Sequence, residues 1–186
     1  GQGSSEEWMA RAALIAAKQR GIARKRQSRE PDPLAAVEAQ LEAYAERGVF
    51  RSFSRTSLKA GIAEFRFFWL LNLPFRMTFD SKRGVLAFPK LLPKVPAASE
   101  LNTALKEFVE NCSAEDRPEH RRLDPLRLRT RCSNRAGSAT LTIECLDGDF
   151  ETAVKKAILL VNEVFLSFLN VRHPEYMIET FRLPDE

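Results

Sequence analysis

The chain has 186 residues, 44% of them hydrophobic and 13 of them Phe, enough apolar material for one domain with a sizeable core and too much for disorder throughout. Its 29 basic and 25 acidic groups are unevenly spread: residues 1–30 hold seven basic groups against three acids, a net of +4, leaving 22 of each sign for residues 31–186. A pI of about 9.1 therefore marks one segment, and not the whole chain, as attractive to polyanions.

Three cysteines, Cys112, Cys132 and Cys145, form an odd set without paired spacing or an adjacent histidine. That pattern argues against a disulfide framework or a zinc site and for a reducing, cytoplasmic compartment. No apolar run reaches the roughly 18 residues of a membrane span. Nothing resembles a calcium loop, a P-loop or a dinucleotide-binding glycine run, so no metal, cofactor or catalytic residue is assigned.

Residues 1–31 read as a basic helical arm and linker, and residues 32–186 as a single α+β domain. From Glu6 to Arg26 the arm is rich in Ala, Lys, Arg and Gln, with Trp8, Ala12, Ile15 and Ile22 on one narrow stripe. Trp8, Ile15 and Ile22 are its candidate partner contacts, and Arg24, Lys25 and Arg26 complement the negative end of the helix dipole. Asp32 and Pro33 start a second helix, Gly48 stops it, and Leu34, Val37, Leu41 and Tyr44 make its apolar stripe.

Val49 to Gly61 has no assignable pattern. Beyond it, alternation places Phe65, Phe67, Trp69 and Leu71 on one strand face and Phe75, Met77 and Phe79 on another. A strand at Val85 to Phe88, a proline-flanked loop from Pro89 to Pro96 and a Ser99-capped helix carrying Leu101, Leu105, Phe108, Val109 and Cys112 complete a ββα unit. The connector Ser113 to Pro125 then leads to a strand in which Leu126, Leu128, Thr130 and Cys132 alternate with Arg127, Arg129 and Arg131. A turn from Ser133 to Ser138, a return strand through Leu141, Ile143 and Cys145, and a long helix from Asp149 to about Asn170 form a second unit. Residues 75–112 and 126–170 thus form a pseudo-repeat, with Gly84 and Gly137 at matching turn positions. Tyr176 to Leu183 alternates as an edge strand would. The expected fold is α+β: an antiparallel sheet built from two ββα-like units, helices packed on one face, preceded by the N-terminal helical arm.

The element order after the arm, α–β–β–β–α–β–β–α, resembles that of type III secretion chaperones. The likeness covers order alone and implies a fold; those chaperones tend to be acidic where residues 31–186 are neutral.

Period-two spacing puts Arg127, Arg129 and Arg131 on one sheet face, with Arg76 on an equivalent strand, as a basic surface for phosphate or carboxylate groups. The bland counterpart is a solvated face on which Arg127 opposes Glu144. His120, Arg121, Arg122 and Asp124, with Asn134 and Arg135, bring acid–base and anion-binding chemistry into loops, though no nucleophile accompanies them. Asp80, Glu144, Asp147 and Asp149 read as turn and cap residues before they read as a cation site. The apolar loop Pro89 to Pro96 either displays a peptide-binding edge or covers the end of the core. These features point to a non-enzymatic protein-interaction domain, adaptor or chaperone-like, that binds a protein partner or self-associates as a homodimer. The alternative is a nucleic-acid-binding protein using the basic arm and the arginine-lined sheet face.

Overall fold

Side chains that alternate between apolar and polar give each central strand one dry face and one wet face, and the strands assemble into a six-stranded antiparallel sheet of order β1-β2-β3-β4-β6-β5. The computed structural model describes residues 7–15, 32–59 and 61–182, and the chain divides into two units, Gly1–Asp32 and Pro33–Glu186. In the first unit residues 7–15 form helix α1, with Trp8 and Ile15 exposed. Ile22, Arg24, Lys25 and Arg26 lie outside the described residues.

The second unit runs α2 (Pro33–Glu46), β1 (Arg51–Lys59), β2 (Ile62–Phe68), β3 (Pro74–Asp80), β4 (Val85–Leu92), α3 (Glu100–Asn111), β5 (Leu128–Arg135), β6 (Ser138–Cys145) and α4 (Phe150–Glu163). The last helix continues through π-helical Val164–Leu169 into α5 (Asn170–Arg172), and α6 (Pro174–Phe181) follows. Strands β1 to β4 form a meander. The chain then crosses by α3 to the far edge, where β5 and β6 pair and β6 returns beside β4.

The dry face carries Phe65, Phe67, Phe75, Met77, Phe79, Leu86, Phe88, Leu141 and Ile143, all buried. Phe67 stacks on Phe50 with ring centroids 4.0 Å apart, and Phe75 and Phe79 meet Phe165 and Phe150 of the long helix edge-on at 5.4 and 5.5 Å. Burying each such ring is worth about 1.5–3 kcal/mol. Helix α2 adds Val37 and Leu41, both fully buried. Helix starts are fixed by side-chain caps: Ser99 accepts from Asn102 N–H at 3.2 Å, and Asp149 from Thr152 N–H at 3.1 Å. Among the described residues no helix is long and apolar enough to cross a membrane.

Five local expectations are corrected. The patternless stretch after Val49 contains β1, an edge strand whose residues are exposed except for half-buried Phe53, so packing left no periodic trace. The order becomes α–β–β–β–β–α–β–β–α, one strand more than the order on which the chaperone likeness rests. Trp69 and Leu71 do not extend β2: Trp69 N–H donates to Leu73 O at 3.1 Å, closing a turn in which Leu71 and Asn72 have φ of 55° and 57°. The Pro89 to Pro96 segment begins as strand, because the β3 ladder stops at Ala87 and a proline there removes no donor that β3 uses. Its Leu92 and Val95 are fully buried, so it covers the end of the core. Residues 174–181 form a helix, since Pro174 starts it and buried Met177 and half-buried Phe181 lie one turn apart.

The fifth concerns register. The β5–β6 turn is only Ala136-Gly137, both with positive φ (52° and 81°), the primed hairpin geometry that matches strand twist. This places Arg129, not Arg127, opposite Glu144.

Adjacent rings in β2 separate core from surface. Phe67→Ala is expected to lower the unfolding free energy by about 3–5 kcal/mol. Phe68→Ala, at a residue 39% exposed, is expected to lower it by under about 1 kcal/mol. Guanidinium titrations of the two variants check this, and equal losses would place Phe68 in the core.

Candidate functional site

The helices of Pro33–Glu186 pack on the dry face, and among the described residues of that unit none covers the other. The strand registers align its side chains in rows: Thr56, Glu64, Thr78, Ala87, Thr142 and Arg131 form one, and Lys59, Ile62, Asp80, Val85, Glu144 and Arg129 the next. Ser54, Arg66 and Arg76 follow in a third, and Arg51, Phe68 and Pro74 in a fourth. Arg135 pairs with Ser138 at the β5 end. The face therefore holds seven basic residues (Arg51, Lys59, Arg66, Arg76, Arg129, Arg131, Arg135) against three acids (Glu64, Asp80, Glu144), a net of +4 inside a body whose charges sum to zero. Ile62, Thr78, Val85, Ala87 and Thr142, all half-buried, make a neutral centre. Cations gather toward the two edge strands and the Phe68 end.

Glu64 is only 4% exposed although no described helix of its unit covers it. Arg76 binds its Oε1, and Arg66 reaches the same oxygen at 3.4 Å. Two guanidinium groups, directly opposite each other in register, thus share one carboxylate. Beside them a groove of about 430 Å³ is lined by Ser52, Ser54, Arg66, Phe68, Pro74 and Arg76, and by buried Phe67 and Phe75.

The arginine stripe is split. Arg129 pairs with Glu144 at 3.2 Å, and Arg131 lies exposed with no ion pair among the described residues. Arg127 precedes the strand and binds Asp147 at 2.6 Å and Asp149 at 2.8 Å, clamping the start of α4. The Arg127 guanidinium beside Asp147 holds that carboxyl below its ordinary range, and bonds from Thr152 do the same for Asp149.

The connector residues are brought together with α4 and not with the β5–β6 turn. Arg121 gives Glu163 two bonds (2.9 and 2.7 Å) and Arg117 a third at 3.2 Å, enclosing a carboxylate that is 7% exposed. Arg122 donates to Ser113 O at 3.3 Å, while His120 is exposed and offers its carbonyl to Lys156 at 3.2 Å. Asn134 donates to Val95 O at 2.7 Å and to Asn102 at 3.1 Å, near the start of α3. It lies about 20 Å along β5 from the connector end of that strand, and Arg135 points to solvent beside it. The acid–base groups therefore do not converge. Lys156, where the connector meets α4, is lowered from its ordinary value by burial and by the neighbouring Arg127 charge.

The thiols are poor nucleophiles. Burial pushes Cys132 up to about 11 and raises Cys112 and Cys145, so all three stay protonated at neutral pH. Among the described residues no cluster of three or more His, Cys, Asp and Glu is placed to hold a metal ion. Glu64, Arg66, Arg51 and Phe68 escape a sequence reading because their kinship is cross-strand. The available signal was that Glu64 and Arg66 alternate with Phe65 and Phe67, which sends both outward. Compared with known protein families, curated proteins and solved structures, the chain matches none.

Removing the carboxylate in Glu163→Gln leaves the Arg117 and Arg121 guanidinium groups against a neutral amide. A loss of about 2–3 kcal/mol in chemical denaturation is expected, and unchanged stability would show that the connector is not tethered through this residue. The depressed Asp147 and Asp149 carboxyls stabilise the fold above the ordinary carboxylate value, near pH 4, and that contribution is lost as pH falls through their lowered values. Melting curves from pH 6 to pH 2 should fall less steeply for Asp149→Asn, which keeps a capping oxygen but does not titrate. Superimposable curves for the two proteins would refute this.

Proposed function

We propose that this chain is a non-catalytic protein-interaction domain, adaptor or chaperone-like in role, that binds an acidic protein partner on the open face of its sheet. The observation that supports it is the arrangement of that face: a neutral centre of Ile62, Thr78, Val85, Ala87 and Thr142 with basic residues toward the edges. A neutral centre within a charged rim is how protein interfaces are built, and the rim sign selects the partner. Two copies meeting through this face would bring net +4 against net +4, so a different, acidic chain suits it better than a homodimer does. Three cysteines without paired spacing suit a reducing compartment such as the cytoplasm.

A nucleic-acid role is the second reading, favoured by the net +4 of residues 1–30 added to the net +4 of the face. Against it, bases stack on exposed aromatic rings, and Phe68 is the one exposed aromatic among the described residues of the face. A photo-crosslinking residue in place of Thr142, at the centre of the face, is expected to trap an acidic protein in a salt-sensitive way. The same residue in place of exposed Glu107 on α3 is expected to trap none. Nucleic-acid adducts at Thr142 would favour the second reading, adducts only with other copies of the chain would favour self-association, and an empty Thr142 lane would sink the proposal.

A further inference from the structure

We infer that the groove at the Phe68 end of the open face recognises an extended acidic peptide, taking a carboxylate on Arg66 and Arg76, with Arg51 registered beside them, and, two residues along, an apolar side chain against Phe68 and Pro74. This rests on the proposal that the open face binds protein, and it names where and what. The excess charge is local. Arg66 and Arg76 have only Glu64 between them, and Arg51, registered opposite Phe68, makes no ion pair among the described residues. The two lining guanidinium groups against one carboxylate leave a net of +1, Arg51 in the neighbouring row raises it to +2, and the shared Glu64 fixes the first two in place before any ligand arrives.

The apolar half is equally local. Phe68, 39% exposed, lines the groove with Pro74. The turn that carries them is held by Trp69, whose ring packs 5.6 Å from Phe50 and 5.2 Å from Phe75. Leu71 and Asn72 both sit at positive φ, a conformation that costs about 1–3 kcal/mol per residue and persists only where its surroundings impose it. Phe68 is therefore presented on a rigid mount.

Spacing joins the two halves. Arg66 and Phe68 are two residues apart on β2, about 7 Å. In an extended peptide, side chains i and i+2 share a face at the same separation. An acidic residue followed two positions later by an aromatic or aliphatic one matches both walls at once, with Ser52 and Ser54 offering hydroxyls between them.

The test is fluorescence anisotropy with the full chain and a labelled peptide of sequence Thr-Glu-Thr-Phe-Thr. Saturable binding is expected. It should weaken about tenfold or more in Arg51→Gln/Arg66→Gln and in Phe68→Ser, and equally when the peptide Glu becomes Gln or its Phe becomes Ser. Lys155→Gln, on the helical side, should leave it unchanged, and unaltered melting temperatures show that the groove variants remain folded. Should a groove variant unfold, the two peptide replacements against the wild-type chain carry the test. Failure of the wild-type chain to bind overturns the groove, and the Thr142 crosslink then decides separately whether the face binds protein at all. Equal weakening by Arg131→Gln would move the peptide to the other rim, overturning the groove but not the face. Equally tight binding of poly-glutamate would remove the apolar half, and tighter binding of a single-stranded oligonucleotide that displaces the peptide would replace the peptide by nucleic acid.

Discussion

The stacking of Phe67 between Phe50 and Phe75, at centroid distances of 4.0 and 6.2 Å, ties the entrance to β1 through β2 to β3. Because side chains on a strand alternate, this contact also decides what faces outward. A slip of one residue in β2 would drive Glu64, Arg66 and Phe68 into the core and expose Phe65 and Phe67. Core packing and the chemistry of the open face are therefore one constraint viewed from its two sides, and the face inherits its precision from the phenylalanines behind it.

Ionic groups serve two ends in this molecule. Around Glu163 and around Asp147 with Asp149, arginines are spent on holding the connector and the start of α4. On the open face, Arg51 and Arg131 have no acid to spend themselves on among the described residues. A neutral total for residues 31–186 conceals this segregation, since the compensating acids lie largely off the face. Charge on a folded surface depends on where the register delivers it, and a count along the chain cannot resolve that.

What local chemistry determines was readable from the residues. Ser99 and Asp149 declare helix starts through their own side chains, and Phe65, Phe67, Phe75, Met77 and Phe79 declare strands through their spacing. The α+β class with an antiparallel sheet follows from them. Strand β1 was hidden because an edge strand with little to bury need not alternate, and α6 because Met177 and Phe181, four residues apart, share a face under either period. Of the candidate site, Arg129 and Arg131 were visible as outward residues of one strand. The Arg66, Arg76 and Glu64 cluster was not, since Arg66 and Arg76 are separated by a turn and become neighbours only once β2 and β3 pair in a particular register. Glu163 was unreadable for the same reason, its arginines arriving from a connector with no periodicity.

The ladder between β3 and β4 is short: Thr78, Phe79 and Asp80 pair with Ala87, Leu86 and Val85, and there it stops. Pro89 and the irregularity at Lys90 lie beyond, while on its other edge β4 pairs with β6 from Val85 onward. The sheet is consequently two three-stranded leaves, β1-β2-β3 and β4-β6-β5, stitched along a seam at one end only. Twisting one leaf against the other breaks fewest backbone bonds at that seam. It runs through the neutral centre of the open face, with the Phe68 groove on one leaf and Arg131 on the other, so the distance between those two basic regions is governed by a single unfinished seam.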